Sequence, residues 1–253
     1  MNIFIFSKSN WNILNFRKNL IKSLQKNYKI YTFSENDNYF KKLNKIVNKK
    51  ININFKNRRI SLFNDFYNLI KISIFVIFKK PDYFISFNIK PIIISGLISR
   101  LFNIPNIITI TGLGTAFENN TNKFIKKLAI FFYRISIKKS DFIIFQNNYD
   151  LNFFLENKII TSKNKYEIFP GSGVDTNYYK FTPLKSNKNL IFTYIGRLLR
   201  SKGIDTFLEA INFTDIINEN IEFWIVGGYE NKDDFNYKLF KSLIIKNKIK
   251  YYS

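Results

Sequence analysis

Cysteine and histidine are both absent from the 253 residues. Without cysteine there are no disulfides, thiolate metal sites or thiol nucleophiles. Without histidine, imidazole acid–base catalysis, Ser-His triads and His-ligated zinc are excluded together. Proton transfer is left to Asp, Glu, Lys, Tyr, solvent or a substrate. Long apolar runs are missing as well. Ile3–Phe6 is too short for a signal-peptide core and has no basic flank before it. The longest run, Ile72–Phe78, falls far below the roughly 20 residues that span a bilayer. These absences predict a cytoplasmic chain that at most rests peripherally on the inner face of the cell membrane.

Negative charge is scarce. Against 40 Lys+Arg there are 18 Asp+Glu, a formal net charge of +22. Such an excess favours polyanionic partners: nucleic acid, an anionic membrane face or phosphorylated substrates. The lysines are spread over many segments rich in Asn, Ile, Phe and Tyr, a pattern that AT-rich coding bias also produces. There is no zinc-finger pattern, RNP-like aromatic motif or concentrated basic arm, so specific nucleic-acid binding is the remote alternative. With 46% hydrophobic and 18% aromatic residues, the chain has enough apolar surface for a sizeable core.

Strand-like and helix-like patterns alternate. Apolar strands are predicted over residues 2–6, 29–33, 51–55, 83–87, 107–111, 142–145, 166–169, 190–195 and 221–226. Between them, one helix carries Phe16, Leu20, Ile21 and Leu24 on a face. Others are expected over 62–78, from Pro91 onward, and over 123–139, 149–155, 204–213 and 235–245. Residues 35–50 are polar, and Glu35-Asn36-Asp37 reads as a solvated turn rather than a metal-binding triplet. Because the strands are runs of Ile and Phe, an α/β fold with a parallel sheet covered by helices on both faces is expected. Pro170-Gly171-Ser172-Gly173 interrupts the series. The expected organisation is a Rossmann-like domain over 1–170, a linker over 171–189, and the first part of a second such domain over 190–253. That last part falls short of the roughly 100–150 residues of a doubly wound domain, so it reads as truncated.

Between the strand ending at Ile195 and the helix that begins at Ile204 lie Arg197, Arg200 and Lys202, flanked by Gly196 and Gly203. A strand-loop-helix unit offers backbone N–H groups and a positive helix end. Arg adds a bidentate phosphate grip and Lys a mobile charge. The stretch reads as an anion site for a diphosphate, or as a solvated basic loop.

Five pieces of sequence, in order, resemble glycosyltransferase family 4, whose plan is GT-B. Gly196-Arg197-Leu198-Leu199, with Lys202-Gly203, resembles its donor-diphosphate motif, and Phe169-Pro170-Gly171-Ser172-Gly173-Val174-Asp175 with Phe181 its interdomain segment. Ser86-Phe87-Asn88-Ile89-Lys90-Pro91, Thr109-Ile110-Thr111-Gly112-Leu113-Gly114 and Trp11-Asn12-Ile13-Leu14-Asn15-Phe16-Arg17 are similar to a narrower subgroup. That subgroup moves N-acetylhexosamines or related sugars onto polyprenyl-diphosphate-linked glycans, in O-antigen, capsule, lipopolysaccharide and N-glycan precursor assembly. The resemblance implies a retaining transferase that uses a UDP-sugar, with no cofactor and no obligatory metal.

By the same resemblance, Arg197 and Lys202 neutralise the donor diphosphate, while Gly173, Asp175 and Gly196 let backbone approach the donor. Asn15, Arg17, Asn88, Lys90, Thr111, Gly112 and Gly114 lie on the side of the lipid-linked acceptor. No catalytic base is assigned. Each has a plainer reading. Gly112 and Gly114 would only make a turn, Arg17 would be a solvated helix charge, and Asn88 would cap the helix at Pro91. The family's later pair of glutamates is not reproduced by Glu209, Glu219 or Glu222. The alternative is therefore a non-catalytic remnant whose stub sheet exposes apolar edges or pairs with a complementary C-terminal segment. The basic, aromatic stretch Lys123–Lys139 is the expected place for contact with anionic lipid, unless it simply covers the sheet.

Overall fold

A computed structural model of the chain describes residues 1–55, 62–114, 117, 122–138, 140–183, 189–213 and 220–253. The chain divides into two compact units, Met1–Lys180 and Phe181–Ser253.

In the first unit, β1 (Asn2–Ser9) is followed by α1 (Asn10–Phe16), α2 (Lys18–Leu24), β2 (Lys29–Glu35), α3 (Phe40–Asn44), β3 (Lys49–Asn52) and α4 (Leu62–Lys79). Then come β4 (Tyr83–Phe87), α5 (Ile89–Phe102), β5 (Asn106–Ile110), α6 (Lys123–Ile137), β6 (Phe142–Phe145), α7 (Asn148–Glu156) and β7 (Tyr166–Ile168). The seven strands form one parallel sheet in the order β3-β2-β1-β4-β5-β6-β7. Strand order reverses between β1 and β4, which makes the carboxyl ends of those strands the switch point where such sheets receive ligands.

β1 shows why its sequence is a near-continuous apolar run. Side chains alternate between the two faces of a strand. Phe4 and Phe6 enter a core with Phe33, Phe84, Ile72 and Ile94, and Ile3 and Ile5 enter another with Ile13, Ile21, Ile30 and Leu43. With both faces covered, residues 3–6 are all apolar, and the polar residues of the strand fall at its two ends. Each fully buried Phe or Ile contributes about 1.5–3 kcal/mol. A third cluster, around Ile108, Ile110, Tyr133, Ile143, Phe145 and Phe154, closes the β5–β7 half. α5 and α6 approach closely at Gly96, where a Cβ would meet the Ser136 carbonyl oxygen at 2.6 Å.

Several local expectations are corrected. The single helix expected after Asn10 is two helices, broken at Arg17, whose φ of −126° and ψ of 2° lie outside the helical basin. Of the face read from the sequence, Ile21 is buried and Leu24 packs against the same core, whereas Phe16 and Leu20 are exposed; Ile13 is the buried residue of α1 that the reading left out. Trp11 on α1 packs edge-on against Phe16. Of residues 35–37, Glu35 is the last residue of β2, while Asn36 is exposed and Asp37 is half-buried where the chain turns. The two Asp37 carboxylate oxygens accept from the Trp11 and Tyr39 backbone N–H groups, and Asn36 accepts from the Lys50 ammonium. The strand expected over 51–55 pairs only over β3, although Ile51, Ile53 and Phe55 are the buried residues. Lys139, the expected end of α6, and Glu219 lie outside the described residues.

The second unit contains β8 (Leu190–Ile195), a 3₁₀ turn at Arg200–Lys202, and α8 (Ile204–Phe213). β9 (Ile221–Val226), a second 3₁₀ turn at Lys232–Asp234, α9 (Tyr237–Ile245) and β10 (Lys250–Tyr252) complete it. Its parallel sheet has the order β10-β9-β8. α8 buries Ile204, Leu208 and Ile211 against Leu198, Ile225, Phe240 and Leu243, with Phe207 half-buried beside them. β10 was not expected. It carries Lys250-Tyr251-Tyr252 and pairs with Trp224–Val226. Glu222 is held by Lys250 at 2.7 Å, Asn189 at 2.8 Å and the Trp224 indole N–H at 2.8 Å. Those three donors, Lys250 foremost, bring its carboxyl down to about 2.

Candidate functional site

In the first unit, the residues after β4 converge on Asn88. Its Oδ1 accepts from the Ser7 hydroxyl and the Lys8 N–H, both at 3.2 Å, and its Nδ2 donates to Thr111 Oγ1 at 3.3 Å. One amide thus joins the carboxyl ends of β1, β4 and β5. Asn88 makes no side-chain cap to α5, so the capping alternative is corrected: its side chain is already committed. Its backbone, at φ 69° and ψ 152°, lies near a region that is essentially glycine-only. Beyond Thr111, Gly112 faces open space, while a Cβ on Gly114, whose φ is +70°, would lie 2.5 Å from Ile89 Cδ1. Lys90 pairs with Asp65 of α4 at 3.6 Å.

Arg17 is not a solvated charge. It is only 7% exposed, and its guanidinium stacks 4.1 Å over the ring of Phe87, the last residue of β4. Nη1 donates to Ser172 Oγ at 2.6 Å and to the Phe16 carbonyl at 3.4 Å, and Nε has no hydrogen-bond partner. Burial lowers its pKa to about 10, which leaves it charged at neutral pH. No carboxylate pairs with it among the described residues. A buried, charged and incompletely bonded guanidinium is an arrangement that an anion completes. The break at Arg17 places the side chain there, because a continuous helix would hold residue 17 on the α1–α2 cylinder.

The Pro-Gly segment lies against this site. Ser172 Oγ also accepts from Gln146 Nε2 at 3.5 Å. Asp175 accepts from Asn19 Nδ2 at 3.4 Å and from the Asn177 and Tyr178 N–H groups, so it orders the chain that follows Gly173. Gly173 has φ +68° and faces open space. Asn15 is exposed and bonds back to the Trp11 carbonyl within α1.

Glu35, which sequence reading assigned to a solvated turn, is the last residue of β2. Burial pushes its carboxyl up, opposed by a hydrogen bond from the Phe55 N–H and by the charges of Lys8 and Lys90. Its position at a strand's carboxyl end was the available signal.

In the second unit the basic loop leaves β8 at Gly196. Gly196 N–H donates to the Val226 carbonyl at 3.0 Å, and a Cβ on Gly227, at φ +140°, would lie 2.0 Å from the Gly196 oxygen. Only glycine allows the ends of β8 and β9 to come so close. The Tyr194 hydroxyl, whose pKa burial raises, donates to the Arg197 carbonyl at 2.8 Å and fixes the loop. A cavity of about 240 Å³ opens there, lined by Arg197, Leu199, Gly228, Tyr229 and Glu230.

The three cations of the loop separate into two roles. Arg200 is engaged with Asp205 at 3.0 Å, and Asp205 also accepts from the Asn236 N–H at 2.7 Å. Arg200 therefore ties the 3₁₀ turn to α8 and to the start of α9. Arg197 lines the cavity and Lys202 is exposed on the turn, and neither has an ion pair among the described residues.

No family model matches the chain, and no curated protein matches its sequence. Solved structures do resemble it. HepE from Anabaena in complex with UDP and glucose superposes with a TM-score of 0.72 at 14% identity, over 99% of this chain and 68% of that one. Sucrose-phosphate synthase from Thermosynechococcus elongatus gives 0.70 at 13% identity, over 99% and 70%. A UDP-N-acetylglucosamine 2-epimerase gives 0.65 at 10% identity, over 99% and 68%. At these identities the likeness shows the fold alone, and that fold is α/β, of the GT-B-like kind found in glycosyltransferases.

Proposed function

We propose that the chain works as a glycosyltransferase that takes a UDP-sugar, an N-acetylhexosamine by motif resemblance, to a lipid-linked glycan, with the acceptor side in the first unit and the donor side in the second. The observation that carries the reading is one cation at the carboxyl edge of each sheet that no carboxylate pairs among the described residues: Arg197 over the β8–β9 cavity, and Arg17 on Phe87 at the end of β4. Each suits a diphosphate, one on the donor and one on a polyprenyl-type acceptor. Neighbours of the same fold were crystallised with UDP and glucose, which is consistent with the donor assignment.

Arg197 and Lys202 neutralise the charge that grows on the UDP leaving group. In the retaining, front-face route, the bond from the sugar C1 to the diphosphate oxygen breaks as the bond to the acceptor oxygen forms on the same face. The acceptor proton passes to the departing phosphate oxygen. No histidine, metal or cofactor enters this reading. Gly112, Gly114 and Gly173 leave backbone accessible at the edge of the first sheet, and Asn88 holds that edge in shape.

The test is transfer of label from UDP-N-acetylhexosamine to a polyprenyl-diphosphate-linked sugar, read in the organic phase. Arg197→Ala and Lys202→Ala are each expected to abolish donor binding in calorimetry with the fold unchanged. Arg17→Ala is expected to raise the acceptor KM and leave donor affinity alone. Native donor affinity in both loop variants would overturn the diphosphate assignment.

A second reading has its own observation. β8 ends the sheet of the second unit with Leu190, Phe192 and Ile195 exposed. On that reading the unit binds a nucleotide sugar weakly and turns over only when a complementary segment pairs with β8. Transfer that appears only on adding such a segment supports it.

A further inference from the structure

α1 crosses the carboxyl edge of the first sheet. Its start is tied just beyond β2, where Asp37 accepts from the Trp11 N–H at 2.9 Å. At its other end Arg17 reaches Phe87, the last residue of β4, and Ser172 beyond β7, which also accepts from Gln146 after β6. The helix therefore lies on the edge where a parallel sheet receives ligands. Ile13 and Leu14 pack inward on the core. At about 100° per residue, Trp11, Asn12, Asn15 and Phe16 share an arc of roughly 140° on the other side. Trp11 is 43% and Phe16 46% exposed, and Asn15 is exposed as well.

This arc mixes aromatic rings with amides, and both rings are held. The Trp11 backbone is fixed at Asp37, Asn15 Nδ2 donates to the Trp11 carbonyl at 2.8 Å, and the Phe16 ring stands edge-on to the indole at 5.4 Å. Rings already held lose little freedom when a ligand settles on them. A pyranose suits such a surface, because its C–H face covers a ring while its hydroxyls bond amides at the rim. An isoprenoid chain has no use for the amides. The neighbour of the platform narrows the ligand further. Arg17 follows Phe16, donates to its carbonyl at 3.4 Å, and is buried with Nε unpartnered, which calls for an anion beside the rings. A ring and an anion side by side describe a sugar whose anomeric carbon carries a phosphate.

We propose that Trp11 and Phe16 form a stacking platform for the sugar ring of a glycosyl diphosphate whose phosphate sits at Arg17. The inference rests on the acceptor-side reading of Arg17 and names what is held beside it: the pyranose joined directly to the diphosphate, not the lipid tail. Trp11, the larger ring, takes the C–H face, Phe16 bounds it, and the Asn15 amide meets a hydroxyl. Asp37 reaches the ligand only through Trp11 and is a positioning residue. The platform makes the first unit select a sugar-bearing diphosphate over a bare prenyl diphosphate, a choice that Arg17 alone cannot make, since both carry the same anion.

The test is calorimetric titration of the full chain with inorganic pyrophosphate, farnesyl diphosphate, and N-acetylglucosaminyl diphosphate linked to farnesol. The native chain is expected to bind the sugar-bearing probe about tenfold or more tightly than the other two. Trp11→Ala should remove about tenfold of that affinity, with pyrophosphate binding and circular dichroism unchanged, while Trp11→Phe, which keeps a ring, should lose about threefold or less. The backbone tie to Asp37 survives both substitutions. Native affinity for the sugar-bearing probe in Trp11→Ala would overturn the assignment. So would an equal loss for farnesyl diphosphate, which would make the isoprenoid the occupant. Arg17→Ala separates the two readings. Pyrophosphate affinity that persists in it removes the anion from Arg17 and defeats both, whereas pyrophosphate lost with Arg17, together with a sugar that adds nothing to native affinity, defeats the platform alone.

Discussion

The sheets of the two units begin alike and end differently. Going outward from the first strand, β1-β2-β3 and β8-β9-β10 have the same parallel order. In the first unit β4 to β7 continue on the other side of β1, whereas no described strand flanks β8 there. Phe4, Ile5 and Phe6 of β1 are wholly buried, while Leu190, Phe192 and Ile195 of β8 are exposed. The outer strands differ in the same sense. β3 carries Lys49 and Lys50, β7 carries Glu167, and β10 carries Lys250, charges of the kind that discourage edge pairing. β8 carries no charge at all. It has the composition of an inner strand in the position of an outer one.

The sharpest way to break this comparison is a matched truncation. Phe4→Ala should cost about 3–5 kcal/mol in urea unfolding of the first unit. Phe192→Ala should cost under about 1 kcal/mol, because roughly half of that ring already meets water. Equal costs would mean that β8 is covered in solution. Next in size is Gly227→Ala, expected to cost about 3 kcal/mol because the new methyl meets the Gly196 carbonyl. Gly96→Ala in the first unit also meets a backbone oxygen, but alanine's helix preference returns about 1 kcal/mol and softens the loss. Melting temperatures of the two variants check the order.

A third test concerns Lys50, the charge inside the protected edge. It is 7% exposed, and burial holds its pKa down at about 8 against an ordinary 10.5. Below pH 8 the folded chain carries a buried ammonium, so its stability is lowest there. Between pH 8 and 10.5 the unfolded chain binds the proton and the folded one does not, so stability rises with pH. The rise should be about 1–3 kcal/mol for the native chain and absent from Lys50→Met. A parallel pH dependence in both proteins would reject it. The smallest effect is at Asn88. Asn88→Gly loses the bridge but relaxes the backbone, and Asn88→Ala loses the bridge and keeps the strain, so alanine should be less stable by about 1 kcal/mol.

What could be read from the sequence follows from how local the cause is. α8 was legible because Ile204, Leu208 and Ile211 share a face that is buried. β1 was legible because both its faces are covered, which makes its run of Ile and Phe unbroken. The setting of Arg17 was not legible, because its partners Phe87 and Ser172 lie far along the chain. The division of labour between Arg197 and Arg200 was equally hidden, since it depends on which of them Asp205 engages. β10 was missed because three residues with a lysine and two tyrosines look like a strand only beside β9. On α4 the sequence showed apolar residues on every side, and only packing tells that Ile72 and Val76 are the buried ones.

The two tryptophans are placed so that each unit has its own optical reporter. Trp11 stands on α1 beside Phe16, and Trp224 lies in β9 with its indole bonded to Glu222. Trp11→Phe leaves emission that follows only the second unit, and Trp224→Phe leaves only the first. The order in which the units unfold, and which of them responds to a nucleotide sugar or to a glycosyl diphosphate, can therefore be followed in the same chain without any added label.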